Sequence, residues 1–432
     1  NQGLALTLSY LMRRFGTRRG YSPFVVLFAL WLLFFWRYFI PGTARVMFPD
    51  GDFTQQFFIF RDIAYRALAA GHLPLWANCF FAGYPFHADP QSQLFYPPIW
   101  ISFAILKLLG WGNFPLFALT LETTFHYLLA SVFTYLFLRS ELTDPHTPIP
   151  PHPLAPILGA IVFTYGGYLT GYPPLQTGIL ETATWLPLIL LALRRLADDG
   201  RASRVGWSAL ALAVAFFAGH PQTFLFVAYL SIAYFIHRAA LAGRSWRWTL
   251  LRLGAVFALL FGLSLIQLLP QAQYLTLSTR ASLSFEELSR GFPVGIVMQF
   301  FLRDPVWSPL YVGLLPIALA LFAVAHSISK PTIGPVFFWL AAAVVALLLS
   351  LGGNTPVYTL AYWLLPGYRL FRGQERIAIL VSFALATLAA FGAMALLNVI
   401  ARRSNARWWQ TAALVIVGLT VADLYAARTA TN

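Results

Sequence analysis

Phe48 to Pro90 reads FPDGDFTQQFFIFRDIAYRALAAGHLPLWANCFFAGYPFHADP and directly follows a long apolar run. Its carboxylates Asp50, Asp52 and Asp89 and its imidazoles His72 and His87 stand among Trp76, Asn78 and Tyr84. Glu181, His220 and the arginines Arg369, Arg372 and Arg376 come later, again at the edges of apolar runs. A carboxylate within hydrogen-bond reach of a hydroxyl can take its proton. Arginine guanidinium groups hold phosphate through paired, directed donors. Together these residue types suit proton abstraction beside a bound phosphate.

Each candidate also has a plainer role. Asp52 stands three residues before Gln55, the spacing of a capping box, so it can simply head a helix. Glu181 opens an apolar run and can cap it. His220 precedes Pro221 in GHPQT and can stabilise that turn. Arg369, Arg372 and Arg376 can anchor a helix end at the membrane surface or pair with Glu375. Glu122 and His126 lie four apart inside a span and share a face; a helix–helix hydrogen bond is the expected role. Glu286 and Glu287 read as solvated loop charges. Asp50, Asp52, His72, His87 and Asp89 could hold a divalent cation through oxygen ligands, but no spacing fixes them together, so the metal stays unknown.

The elements that must position these groups are membrane helices. The chain has 432 residues, 59% hydrophobic and only 10% charged, against about 25% charged in soluble domains. Its apolar residues come in runs of bilayer length, and the alternating ten-residue segments of a membrane barrel are missing. The fold class expected is an all-α polytopic membrane protein. About eleven spans fall near 22–40, 114–138, 154–172, 180–196, 205–219, 222–238, 252–271, 309–326, 334–352, 376–400 and 408–425. Arg13, Arg14, Arg18 and Arg19 place the N-terminus in the cytoplasm, and inner segments collect Arg194, Arg195, Arg201, Arg204, Arg238, Arg244, Arg247, Arg252, Lys330, Arg402, Arg403 and Arg407. This bias accounts for much of the net charge of +14; with no basic, aromatic-laced groove, nucleic acid is not an expected partner. One cysteine, Cys79, excludes an internal disulfide.

On this topology 1–432 is one transmembrane domain with three long extracytoplasmic loops, 41–112, 272–308 and 353–375. Long loops in compact proteins usually carry function. Residues 52–70 have helical spacing, with Phe53, Phe57, Phe60, Ala64 and Ala67 on one face, and predict a helix lying along the membrane with that face in lipid or on the bundle.

GDFTQQFFIFRDIAYRALAAGHLPLW with FAGYPFHADPQSQLFYP, then AGHPQTF (Ala218 to Phe224), then LPGYRLFRGQERIAIL (Leu365 to Leu380), resemble the YfhO family of bacterial membrane proteins, a branch of the GT-C glycosyltransferases. The likeness runs in layout over almost the whole chain, with specific motifs in about a sixth of it. It implies many transmembrane helices, interfacial helices and a catalytic carboxylate in the first outer loop, and transfer of a sugar from a polyprenyl-phosphate carrier to a cell-envelope glycopolymer or glycolipid at the bacterial inner membrane. Family members are often longer, so sequence beyond Asn1 and Asn432 is expected.

In such a reaction Asp52 is the expected base, with Asp50 as its substitute. Arg369, Arg372 and Arg376 hold phosphate, because cations at an outer boundary run against the positive-inside bias. His72, Trp76, Asn78, Tyr84, His87, Asp89, Glu181 and His220 shape the sugar and acceptor pocket. A single base implies inversion at the anomeric carbon; retention needs a second carboxylate at about 5 Å. A transporter or glycolipid flippase is the main rival, supported by Glu122 and His126 within a span. A non-catalytic envelope scaffold is the third reading.

Overall fold

The computed structural model describes residues 22–40, 48, 51–79, 82–143, 153–278, 283–304, 307–328, 333–403 and 406–427. Asp50, Lys330 and the four N-terminal arginines lie outside them. Among the described residues there is no strand, only one isolated bridge between Ala77 and Tyr84. The helices used below are α1 Pro23–Phe35, α2 Phe58–Ala69, α3 Pro97–Leu108, α4 Leu116–Leu142, α5 Leu154–Tyr165, α6 Thr177–Thr184, α7 Leu186–Asp199, α8 Ala202–Phe217, α9 Pro221–Leu241, α10 Trp246–Thr276, α11 Leu314–Ser327, α12 Ile333–Ser350, α13 Val357–Leu364, α14 Ala378–Arg403 and α15 Ala406–Ala427.

Five helices among the described residues, α4, α9, α10, α14 and α15, are long and apolar enough to cross a membrane, and six shorter apolar helices accompany them. The chain thus carries the helices of an integral membrane protein. α14 sits at the centre, buried nearly all round and apolar on every face, as a core membrane helix must be. It packs on α11 so closely that the main chain of Leu319 touches Gly392, where any Cβ would collide. A small residue at such a crossing lets two backbones approach.

The spans expected at 180–196 and 252–271 differ in detail. The first is broken into α6 and α7 at Trp185, because Pro187 opens α7 and cannot donate a backbone hydrogen bond there. The second extends to Thr276: Pro270 is tolerated inside a 31-residue helix, so the loop expected from 272 starts later.

α4, about 40 Å long at 1.5 Å per residue, gives the bundle two chemically different ends. Beyond its first turn, the Phe114 backbone N–H donates to Asp62 of α2 at 3.1 Å. At its last turn Glu141 accepts from Arg194 and from the Tyr234 hydroxyl, both at 2.6 Å. Arg238 pairs with Asp198 at 2.8 Å and Arg204 with Asp199 at 3.0 Å. Several of the arginines expected inside therefore converge on the Glu141 end, where they tie α4, α7, α8 and α9 together.

At the opposite end, α2 and the turn before it, Phe53–Phe57, lay an aromatic face on the bundle: Phe53, Phe57 and Phe60 are buried. Of the two orientations expected for this helix, the protein-facing one is adopted. α3 is twelve residues long and exposes Ile101, Ile105 and Leu108. The segments 283–304 and 350–376 bind each other. Phe292 N–H donates to the Ser350 carbonyl at 2.9 Å, Gly353 N–H to Ser289 at 2.7 Å and Gln374 N–H to Arg290 at 2.8 Å.

Candidate functional site

The site lies at the Asp52 end. Asp52 does not cap its helix: its backbone is already helical and its side chain makes no capping bond. The Gly51 carbonyl instead accepts from the N–H groups of Thr54 and Gln55, and Gly51 has φ of 138°, a backbone region open to glycine. A π-helical turn, Phe53–Phe57, follows. Such turns insert an extra residue and rotate what precedes them. Asp52 is thereby free to accept from Gln176 Nε2 at 2.7 Å, just before α6 begins.

Next to this contact lies a cavity of about 220 Å³ lined by Tyr168, Tyr172, Pro173, Trp307, Glu375 and Arg376. It is smaller than the roughly 300–1,000 Å³ of pockets that enclose a drug-sized ligand. Tyr172 and Trp307 form an aromatic wall, with ring centroids 5.9 Å apart. The ring of Trp307 lies where a Cβ at residue 171 would be, so Gly171 is what admits it. Arg376 is held by Nη1, which donates to Gln222 Oε1 at 2.9 Å and to the Arg372 carbonyl at 3.2 Å. Two buried donors, Arg376 Nε and Trp307 Nε1, have no protein partner. Glu375 makes no ion pair with an arginine among the described residues. Tyr172 feels every charge around the cavity: burial raises its phenol above the usual value, the Arg376 guanidinium pulls it down, and Asp52 and Glu375 push it up.

The other expected site residues are not brought into this cavity. Arg369 and Arg372 are exposed. His72, Trp76 and Asn78 are exposed on the loop after α2, with the Trp76 ring over Gly83. Tyr84 donates to Asp89, and Asp89 also accepts from the Gln91 N–H at 2.9 Å. His87 Nδ1 meets the Leu75 carbonyl at 2.9 Å. His220 is the N-cap of α9: its Nδ1 accepts from the Thr223 N–H at 3.1 Å, the turn-stabilising role. Glu181 caps nothing; it is fully buried inside α6, and no substrate reaches its carboxylate directly. No three His, Cys, Asp or Glu among the described residues converge as a metal site; Asp52, His87 and Asp89 have different partners.

Arg61, absent from the expected site, lies at the middle of the polar core behind the cavity. It is wholly buried, with Nε 2.9 Å from Glu122 and Nη2 3.2 Å from Glu181. Ser102 donates to Glu122, and Gln93 donates both to Glu181 and to the Ala218 carbonyl. Glu287 is exposed, as expected, and also completes a capping box with Ser284. Beside the arginine, Trp185 Nε1–H donates to the Tyr96 hydroxyl at 2.8 Å, and that hydroxyl lies 2.8 Å from His126 Nε2. His126 Nδ1 is 2.6 Å from the Glu122 carbonyl, so Nδ1 carries the proton and Nε2 accepts. His126 thus fills the helix–helix role expected of it. A cue for Arg61 existed: it is a cation at the end where bases are scarce, as Arg376 is.

No protein-family model matches the chain, and no curated protein sequence does. Its fold is similar to a solved structure, the cryo-EM structure of arabinofuranosyltransferase AftD from mycobacteria, a GT-C glycosyltransferase. The match has a TM-score of 0.55 at 16% identity and covers 94% of this chain. The chain spans 28% of the length of that protein. The likeness shows a shared fold.

Proposed function

We propose that the protein is a membrane glycosyltransferase that takes a sugar from a polyprenyl-phosphate carrier and passes it to an extracytoplasmic envelope acceptor, in the manner of the YfhO branch of the GT-C enzymes. The observation that carries this reading is a cavity of monosaccharide scale lined by Arg376, Tyr172 and Trp307, with the Asp52 carboxylate held by Gln176 close by. The fold shared with AftD supports it.

The acceptor hydroxyl attacks the anomeric carbon, Asp52 takes its proton, and the bond from that carbon to the phosphate oxygen breaks. The phosphate leaves as an anion held by Arg376, whose guanidinium lines the cavity. Tyr172 and Trp307 offer the sugar ring aromatic surface. Each bond made has a bond broken, and the proton ends on the carboxylate. One carboxylate in this role inverts the anomeric centre.

The flippase reading loses its support, since Glu122 is paired with Arg61 and His126 with Tyr96. Asp52→Asn keeps the shape of the side chain and its contact with Gln176 but removes the base. Transfer to envelope polymer, followed by mass spectrometry, is expected to fall by about 10²–10⁴ at unchanged expression and thermal stability. Wild-type transfer by Asp52→Asn and by the Asp50/Asp52 double variant overturns the assignment.

A further inference from the structure

We infer that Arg61, Glu181 and Gln93 form a buried hub that sets the spacing between Asp52 and Arg376, and that they act as positioning residues for the site. The geometry stands by itself; its catalytic consequence rests on the function proposed above.

Two bonds join the Asp52 helix to α6. Asp52 meets Gln176 at 2.7 Å, and nine residues along, Arg61 meets Glu181, five residues beyond Gln176, at 3.2 Å. Two ties at separate points fix both the height and the rotation of one element against the other. A single tie leaves the Asp52 turn free to slide. From Glu181 a second path leads to the other side of the cavity. Gln93 donates to Glu181 and to Ala218, and its side chain and the Pro90 carbonyl press on Gly219. Three residues later Gln222 holds Arg376 Nη1 at 2.9 Å and donates to the Gly373 carbonyl at 3.1 Å. Glu181 therefore stands where the path to the base and the path to the guanidinium meet. Gln93 accepts a left-handed backbone, φ 53°, to reach both partners.

Ion pairs buried this deeply are a poor source of net stability, because desolvation offsets their attraction; their best-attested use is to fix register. The planar fork of arginine suits that use, since it addresses Glu122 of α4 and Glu181 of α6 in set directions. An apolar side chain would fill the space without choosing a register.

The test uses the full chain in nanodiscs, with Cys79→Ser and spin labels on Gln55→Cys and Arg372→Cys, both exposed positions on the two arms. Double electron–electron resonance should give one narrow distance distribution in this parent. Arg61→Lys keeps the charge and loses the fork; it is expected to broaden or shift the distribution while the protein still unfolds cooperatively on heating. Gln93→Leu is the second variant, chosen because it leaves the ion pairs intact should the lysine protein fail to fold; it is expected to move the Arg372 arm. A parental distribution in the folded variants overturns the hub. With the native residues restored at 55 and 372, Arg61→Lys should lower kcat about tenfold to a hundredfold with little change in KM, the scale of a small misplacement. An inactive parent with the distance change present refutes the proposed function and leaves the hub standing.

Discussion

Arg376 lines the cavity, with Nη1 held by Gln222 and the Arg372 carbonyl and a further side-chain hydrogen bond to Tyr172. A lysine keeps the charge but has no planar fork with which to hold both Gln222 and a phosphate oxygen. Arg376→Lys should therefore fold and lose about 10²–10³ in kcat, the scale of one lost donor at a developing anion, read in the same transfer assay. Glu375 tests the stereochemistry. If Asp52 acts alone, Glu375→Gln weakens sugar binding but leaves an inverted product, identified by NMR of the anomeric proton. A retained configuration in the wild type would require a second carboxylate, and Glu375 lines the cavity. His220 belongs to another class: as the cap of α9 its replacement by alanine should cost about 1 kcal/mol of stability and spare the chemistry. At this scale the sequence exposes residue types but hides partners. Arg372 and Arg376 were legible as cations on the wrong side of the charge bias. Arg61 shared that cue, but its partners stayed hidden, because its two carboxylates lie 61 and 120 residues away and no local spacing links them.

The elements were more legible than their faces. Apolar runs of bilayer length mark α4, α9, α10, α14 and α15, since a helix in lipid must satisfy its backbone internally. The interruption at Trp185 depends on one proline, which hydropathy averages over. The π-helical turn after Asp52 is likewise invisible to a 3.6-residue period, yet with it the carboxylate leaves the capping role and meets Gln176. Close helix approach gives a prediction at this scale. Gly392 of α14 lies against the Leu319 carbonyl, where a Cβ would come within 1.8 Å. Gly392→Val forces α11 away from the central helix, at a cost on the order of 1–3 kcal/mol for overpacking. Gly206 has open space around its position, so Gly206→Ala is the matched control. Thermal unfolding in detergent should show a clear drop for the first and none for the second. Equal midpoints would mean that α11 and α14 do not pack as described.

For the whole molecule, the two ends of α4 make opposite predictions about sidedness. The Glu141 end gathers Arg194, Arg204 and Arg238 on Glu141, Asp198 and Asp199, and the positive-inside bias assigns such an end to the cytoplasm. The Asp52 end carries the cavity and the exposed Cys79, the chain's one cysteine. A carrier-linked sugar used outside the cytoplasm requires the cavity to open outward. Cys79 should therefore react with a membrane-impermeant maleimide in intact cells. In a Cys79→Ser background, Arg195→Cys, exposed near the Glu141 end, should react only after the cells are permeabilised. The reverse pattern would put Asp52 and Arg376 in the cytoplasm. There a nucleotide-activated sugar would be the natural donor, and the polyprenyl-phosphate chemistry proposed for the cavity would fall with the orientation.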